Sequence, residues 1–170
     1  ECDPVHKVSI ISRGQALGVT WYLPEEDRHL YSKTKFENEL AALLGGYAAE
    51  EVFFGEVTTG ASSDLQRATQ MARQMVTQYG MSDLGPVVFG EKDHEVFIGR
   101  DLAHQKNYSE EAASKIDERI SNFIDEAHEN ARKLITSNKK KMEEIAEDLL
   151  KKETIDRDEF VAYFSKKKGK

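Results

Sequence analysis

Residues 36–80 constrain the fold most, because they combine two amphipathic helical patterns with a glycine-rich interruption and a loop. In the first half, apolar residues recur at helical spacing at Phe36, Leu40, Leu43, Leu44 and Tyr47. In the second half the same spacing recurs at Leu65, Ala68, Ala72, Met75, Val76 and Tyr79. This pattern predicts two helices joined by a loop, each with one face in a core.

Two adjacent glycines, Gly45 and Gly46, interrupt the first helical pattern. Together they cost about 2 kcal/mol in a helix interior relative to alanine. The neighbouring Ala48 and Ala49 extend the patch of small residues. We therefore expect another backbone to pack closely here, in a tight crossing of two helices within the core.

The loop between the two helices delivers one carboxylate, Asp64, to the start of the second helix. Ser63 and Gln66 fit a Ser-x-x-Gln capping box, which would put Asp64 at the first helical position. Negative charge there stabilises a helix by roughly 0.3–1 kcal/mol. From the residues alone, Asp64 is either a favourable helix-start acid or a metal-binding or catalytic group.

The N-terminal residues predict a β-hairpin. Residues 5–11 and 16–23 alternate as strands do, and a turn with Gly14 separates them. Gly18 leaves one face of the second strand thin, which permits close approach by another backbone. Because a lone hairpin is marginal in water, it must pack on helices or join further strands. The second strand either simply packs or accepts an extended peptide by strand addition.

The C-terminal part predicts helices. Ser109 starts the longest one, residues 138–141 mark a break before another, and Asp156 opens a short third helix. We therefore expect a mainly α fold of the α+β type, with one small N-terminal β-hairpin and a C-terminal helical bundle. We expect one domain, 1–170. Its N-terminal part comprises a hairpin and linker (1–31) and a helix-loop-helix with Asp64 (32–80). Its C-terminal part comprises a loop with short strands at 87–89 and 95–98 (81–108), helices (109–164) and a tail (165–170).

Charge and composition exclude some classes of protein. The net charge of −7 argues against nucleic-acid binding, which needs clustered Lys and Arg. The single cysteine, Cys2, cannot form a disulfide within the chain, so a reducing compartment is expected. No apolar run is long enough to span a membrane. Because the chain begins at Glu1 and not at Met, we expect a piece of a longer protein.

The sequence carries no complete active site. The histidines are His6, His29, His94, His104 and His128, and no two are four residues apart. The chain therefore lacks the His-Glu-x-x-His zinc helix, and it also lacks a Cys-x-x-Cys pair, a phosphate-binding glycine loop and a Gly-x-Ser-x-Gly elbow. On these grounds alone, the default function is that of a mainly helical interaction module.

The same segments resemble the peptidase domain of FtsH-type ATP-dependent zinc metalloproteases, the membrane-anchored AAA+ proteases of bacteria, mitochondria and chloroplasts. The matching residues are Val5-His-Lys-Val-Ser-Ile-Ile11, Arg13-Gly14, Ala16-Leu-Gly-Val-Thr20, Leu23-Pro24, Leu43-Leu-Gly-Gly46, Ala48-Ala-Glu-Glu-Val52, Phe54-Gly55, Thr58-Thr-Gly-Ala61, Asp64-Leu-Gln-Arg-Ala-Thr69, Gly80-Met-Ser82, Asn107-Tyr-Ser-Glu-Glu111, Ile116-Asp-Glu118 and Glu153-Thr-Ile155. The likeness covers nearly the whole chain in order, which makes it specific.

The resemblance implies a role for Asp64 as the third zinc ligand. In the family, two histidines of an upstream His-Glu-x-x-His helix supply the other ligands, and its glutamate is the general base. The zinc-activated water attacks a peptide bond. Because that helix is missing here, no catalytic residue is expected in this chain, and its substrate-binding residues are unknown. We expect that the chain alone neither holds catalytic zinc nor cleaves peptides.

The resemblance also implies properties of a parent protein. The parent would bind ATP and magnesium at an ATPase module, form a homo-hexamer and carry a membrane anchor upstream of this chain. Its substrates would be unfolded or misassembled proteins. The expected location is the cytoplasmic side of the bacterial inner membrane, with a mitochondrial or chloroplast membrane as alternatives. The alternative function is a non-catalytic helical oligomerisation or interaction module. Two positions depart from the family pattern: Tyr47 stands where Arg is frequent, and Ser12 where Pro is usual.

Overall fold

The computed structural model describes residues 2–12, 14, 18–23, 30–90 and 108–165. Its elements, in chain order, are β1 (Val5–Ser9), β2 (Val19–Tyr22), α1 (Lys33–Leu43), α2 (Gly45–Phe54), a short 3-10 helix (Thr59–Ala61), α3 (Ser62–Thr77), α4 (Glu110–Ser137), α5 (Lys139–Lys152), β3 (Thr154–Asp156) and α6 (Arg157–Ser165). The predicted mainly α fold of the α+β type is confirmed. The contacts divide the chain into two compact units, one of residues 1–31 with 133–170 and one of residues 32–132.

The first unit contains the sheet. The predicted hairpin is confirmed, with β1 antiparallel to β2 and an irregularity in the register at His6. A third strand, β3, pairs antiparallel with the other edge of β1, which gives the order β2-β1-β3. Ile155 of β3 is fully buried. The hairpin therefore gains its extra strand from the C-terminal part of the same chain, where the sequence predicted only helices.

Gly18 lies where two backbones approach closely, as its lack of a side chain predicts. A Cβ atom added at this position would lie 2.8 Å from the carbonyl oxygen of Ser9. That distance is shorter than real Cβ contacts allow, and the oxygen belongs to the backbone, so the strand itself would have to move.

We expect Gly18→Ala to lower the free energy of unfolding by about 1–3 kcal/mol, the usual cost of forcing extra atoms into a packed site. Urea denaturation followed by circular dichroism would measure the loss. Gly46→Ala is the control: like Gly18 it has no left-handed φ, and among the described residues nothing lies within 4 Å of the added atom. A Gly18→Ala variant as stable as the parent sequence would contradict the close approach.

Two helices complete the first unit. Asp156 accepts a hydrogen bond from the backbone N–H of Glu159 at 3.0 Å, which confirms the predicted start of α6. The Tyr163 hydroxyl on α6 donates to Asp148 on α5. This hydrogen bond raises the pKa of Tyr163 to about 12, so the hydroxyl keeps its proton, and with it the link between the helices, above the pH near 10 at which an ordinary tyrosine ionises.

The second unit is built around the two predicted apolar faces. Leu40 of α1 and Leu44, which follows its last residue, meet Ala68, Ala72, Met75 and Val76 of α3, and Ile116, Ile120, Phe123 and Ala127 of α4 close the core. Ser109 starts α4 as predicted, and Ser32 starts α1 in the same way, because each hydroxyl accepts a backbone N–H of the first turn. Leu134, in the part of α4 that belongs to the first unit, fits the helical spacing of that helix but is 62% exposed.

The tight crossing expected at Gly45 and Gly46 is wrong. Among the described residues, Cβ atoms added at either glycine would meet nothing within 4 Å. The physical reason is that α1 ends at Leu43 and α2 begins at Gly45, so these glycines are the first residues of a helix and not its interior. The first N–H groups of a helix have no partner within it, and glycine costs less there than in the middle.

Part of the predicted loop falls within the structure. Residues 87–89 form no strand, and Phe89 donates its N–H to the Thr77 carbonyl at 2.8 Å and packs against the core. The apolar run at 95–98, the strand end at Pro24 and the tail from 166 lie outside the described residues. In the described part of the chain, every helix is too short or too polar to cross a lipid bilayer.

Candidate metal-binding site

Glu50, on α2, holds the loop that precedes Asp64. Its two carboxylate oxygens accept from two groups of one residue: Oε2 from the Thr58 N–H at 2.6 Å, and Oε1 from the Thr58 hydroxyl at 3.0 Å. The Thr58 hydroxyl oxygen in turn accepts the N–H of Gly60 at 3.1 Å. A hydrogen bond to a charged group is about twice as strong as a neutral one, so this clamp fixes the loop to α2.

The clamp leaves little room for a side chain at Gly60, where the Glu50 or Thr58 side chain would have to shift by a few tenths of an ångström. A Cβ atom there would lie 3.2 Å from both the Glu50 carboxylate and the Thr58 hydroxyl. Ala61, the next residue, is buried and anchors the loop from the other side. Residues 58–61 are therefore held by the Glu50 clamp and by the burial of Ala61.

The start of α3 differs from the predicted capping box. The short 3-10 helix at Thr59–Ala61 leads directly into α3, so the helix starts at Ser62 with Ala61 as its N-cap, and no side chain caps it. The Ser63–Gln66 capping box is therefore wrong. The physical reason is that Thr58 starts the winding of the chain earlier, by capping the 3-10 helix. Asp64 is the third residue of α3 and not its first.

Asp64 presents its carboxylate toward solvent from the first turn of α3. Its side chain is 45% exposed, and its Oδ1 lies 3.5 Å from Nη1 of Arg67, which is itself 64% exposed. Ion pairs this exposed contribute at most about 1 kcal/mol. A metal ion could therefore displace Arg67 without a large loss, and the helix N-terminus would still favour the carboxylate.

The donor atoms fit one ligand of a zinc site and not the whole site. Carboxylate oxygen is an accepted zinc ligand, and a catalytic site needs three protein ligands. Among the residues that the structure describes, no cluster of three His, Cys, Asp or Glu side chains could hold a metal ion. The role of Asp64 as a zinc ligand stays a prediction.

Neither of the described histidines belongs to such a cluster. His6 is exposed on β1. His128 on α4 lies with Nε2 2.6 Å from Oε2 of Glu51 on α2, and its ring meets the Tyr47 ring edge-on at 5.4 Å. Tyr47, the position that departs from the family pattern, is thus a contact between two helices of the second unit. His29, His94 and His104 lie outside the described residues.

Sequence reasoning missed Glu50. It belongs to the segment Ala48-Ala-Glu-Glu-Val52 on which the resemblance rests, but no spacing marked it as a partner of the loop. The contact joins residues eight positions apart across the end of a helix, and helical periodicity does not extend into a loop. Two adjacent glutamates before a Thr-rich loop were the only available signal.

Comparison with known proteins identifies the family. The model of peptidase family M41 matches residues 1–162. The chain is 54% identical over 157 residues to the ATP-dependent zinc metalloprotease FtsH of Rubrobacter xylanophilus, which covers 92% of the chain and 24% of that relative. It is 56% identical over 154 residues to that of Kosmotoga olearia (89% of the chain, 24% of the relative). It is 51% identical over 159 residues to the FtsH of Thermotoga maritima, and this match covers 92% of the chain and 26% of that relative.

The chain thus spans about a quarter of the length of the curated relatives that it matches. The match nevertheless runs through both helices around Asp64, the Thr58 loop and the three strands, because the family model extends from the first residue to α6. The predicted resemblance to the peptidase domain of FtsH-type metalloproteases is confirmed. The chain belongs to peptidase family M41.

Proposed function

We propose that this chain is the part of a zinc metallopeptidase domain that supplies the third metal ligand, Asp64. The observation that carries the proposal is the Glu50 clamp. Two charge-assisted hydrogen bonds fix a loop whose next helix presents one solvent-facing carboxylate. Capping alone does not need this arrangement, since Asp64 caps nothing and Thr58 already starts the turn. A ligand-presenting loop does need it, because metal binding requires its donor atoms in fixed positions.

The chain's own residues have separate tasks in this proposal. Asp64 holds the metal through a carboxylate oxygen, and Glu50 holds Thr58 and through it the start of α3. The core beneath α1 and α3 keeps that helix in place. Zinc, when bound with two further ligands, supplies a Lewis acid that activates water for attack on a peptide bond. The general base would come from a His-Glu-x-x-His helix outside the 170 residues.

The exposed edge of β2 is the candidate for binding an extended substrate segment. Among the described strands, β2 is an outer strand of the sheet, whose order is β2-β1-β3. Trp21 and Tyr22 on it are 40% and 52% exposed. An added strand would use main-chain hydrogen bonds, which suits a peptidase that accepts many sequences.

The name of the relatives supports part of what we propose for the parent protein. Their name, ATP-dependent zinc metalloprotease FtsH, supports ATP-dependent proteolysis by the parent, and we propose that ATP and magnesium bind at a module outside this chain. We further propose that the parent protein is a membrane-anchored homo-hexamer in which this chain belongs to a single peptidase domain on the cytoplasmic side. The parent would degrade unfolded or misassembled proteins. Nucleic acid is not among the proposed partners, given the net charge of −7.

The experiment compares the chain alone with a protein in which a family His-Glu-x-x-His helix precedes it. Zinc content after dialysis and chelator-sensitive cleavage of casein are measured for both. We expect zinc and cleavage in the longer protein and neither in the chain alone, because a single carboxylate cannot replace three ligands.

Two outcomes would contradict the proposal. Chelator-sensitive cleavage by the purified 170 residues would show that a complete site exists without the upstream helix. A longer, folded protein without zinc or cleavage would instead favour the alternative, a helical oligomerisation or interaction module.

A further inference from the structure

The helix that carries the loop clamp is weakly anchored by apolar contacts. Within α2, all of which the structure describes, Ala48 is the buried residue. The hydrophobic core of the second unit is formed by α1, α3 and α4, with apolar side chains of the loop at 81–89 and Tyr108 packed against it, and its described members include none from α2. Polar contacts must therefore contribute much of what fixes the rotation of α2.

One imidazole on α4 contacts two side chains of α2. Tyr47 and Glu51 are four residues apart, which places them one above the other on the same face of the helix. Both contact His128: Glu51 through its carboxylate at 2.6 Å and Tyr47 through the edge of its ring. Because an ionised carboxylate only accepts, the Nε2 of His128 carries the proton and donates it.

Glu50 and Glu51 are neighbours on the same helix, so their directions are coupled. Successive residues of an α-helix are about 100° apart around its axis. When Glu51 faces His128, Glu50 must face the Thr58 loop, as its two hydrogen bonds to Thr58 require. A rotation of α2 that broke the first contact would move the second.

We propose that His128 and Glu51 are positioning residues for Asp64. By fixing the rotation of α2, they hold the Glu50 carboxylate against Thr58, and Thr58 fixes the start of α3. Neither residue touches the metal or the substrate. This inference rests on the proposed function of Asp64, but the contact between α2 and the loop can be measured without any metal.

The test is the solvent-exchange rate of the Thr58 amide, measured by NMR in the 170-residue chain. His128→Ala should accelerate this exchange about fivefold, the lower end of the usual coupling between distinct sites. His128→Gln, which keeps a donor of similar reach, should restore the rate to within about twofold of the parent sequence. Glu50→Ala, which removes the acceptor itself, should give the largest acceleration.

A matched control separates positioning from a general loss of stability. Arg119 also joins α4 to another segment, through its ion pair with Asp83. Arg119→Ala removes a cross-link of the same kind but does not touch α2, and it should leave the Thr58 exchange unchanged. Glu51→Ala combined with His128→Ala should be no faster than His128→Ala alone, because that substitution already removes the contact of Glu51.

Three results would overturn the inference: a Thr58 rate unaffected by His128→Ala, an equal acceleration by Arg119→Ala, or fold-changes of Glu51→Ala and His128→Ala that multiply in the double variant. Failure of the proposed function is distinguishable, because it concerns zinc. If Asp64→Asn leaves zinc bound in the longer protein, Asp64 is not a ligand, whatever the Thr58 exchange shows. If Asp64→Asn removes zinc while His128→Ala leaves Thr58 unchanged, only the positioning inference fails.

Discussion

Replacing Asp64 with asparagine is expected to abolish zinc binding and proteolysis in a protein that carries this chain after a His-Glu-x-x-His helix. Asparagine keeps the shape of the side chain but removes the anionic oxygen that a zinc ion binds. Loss of an outer-shell partner already costs 10–100-fold in metal affinity, so loss of a ligand should exceed about 100-fold. Zinc content after dialysis and the rate of casein cleavage measure the effect.

The fold should survive this substitution. Asp64 is 45% exposed, and its charge at the helix start contributes only about 0.3–1 kcal/mol. Asp117→Asn is a suitable control, because Asp117 is another exposed acid of the same unit and pairs with Arg73. It should leave zinc and activity unchanged. Full zinc occupancy in the Asp64→Asn protein would contradict the assignment of Asp64 as a zinc ligand.

Replacing Leu40 with alanine is expected to lower the free energy of unfolding by about 2–5 kcal/mol. Leu40 is fully buried in the core that joins α1, α3 and α4. The substitution removes three carbon atoms and leaves a cavity, because the helices around it can relax only partly. The loss is a large fraction of the stability of an ordinary domain, so the urea midpoint should fall markedly.

The matched control is Leu150→Ala, the same chemical change at a site that is 76% exposed. We expect a change within about 0.5 kcal/mol there. Equal losses in the two variants would contradict the placement of Leu40 in the core. A Leu40→Ala variant that also loses protection of the Thr58 amide would show that the core beneath the loop contributes to its position.

Helix positions were predictable because they depend on local spacing. The apolar faces of α1, α3 and α4 follow from residues three and four positions apart, and the serines that start α1 and α4 act on their own first turns. The same logic failed at Leu134, which has the right spacing on α4 but is 62% exposed. Spacing places a residue on a face of a helix, and only a neighbouring element decides how wide the buried part of that face is.

The third strand was not predictable from the sequence pattern. β3 has three residues, too few to show alternation, and its pairing with β1 brings together residues as distant as Ser9 and Thr154, 145 positions apart. The error at Gly45 and Gly46 has a related cause. The pattern showed where glycines interrupt a helix, but not that one helix ends there and another begins.

By itself, the sequence determined the helices and their apolar faces, the hairpin with its close approach at Gly18, and the family to which the chain belongs. It also supplied Asp64 as the predicted zinc ligand, through resemblance. Only the tertiary structure decided how that residue is presented: the clamp of Glu50 on Thr58, the start of α3 at Ser62, and the contact of His128 with α2. The physical reason is that these contacts are made by single side chains across breaks between elements, where no periodicity of the chain records which residues will meet.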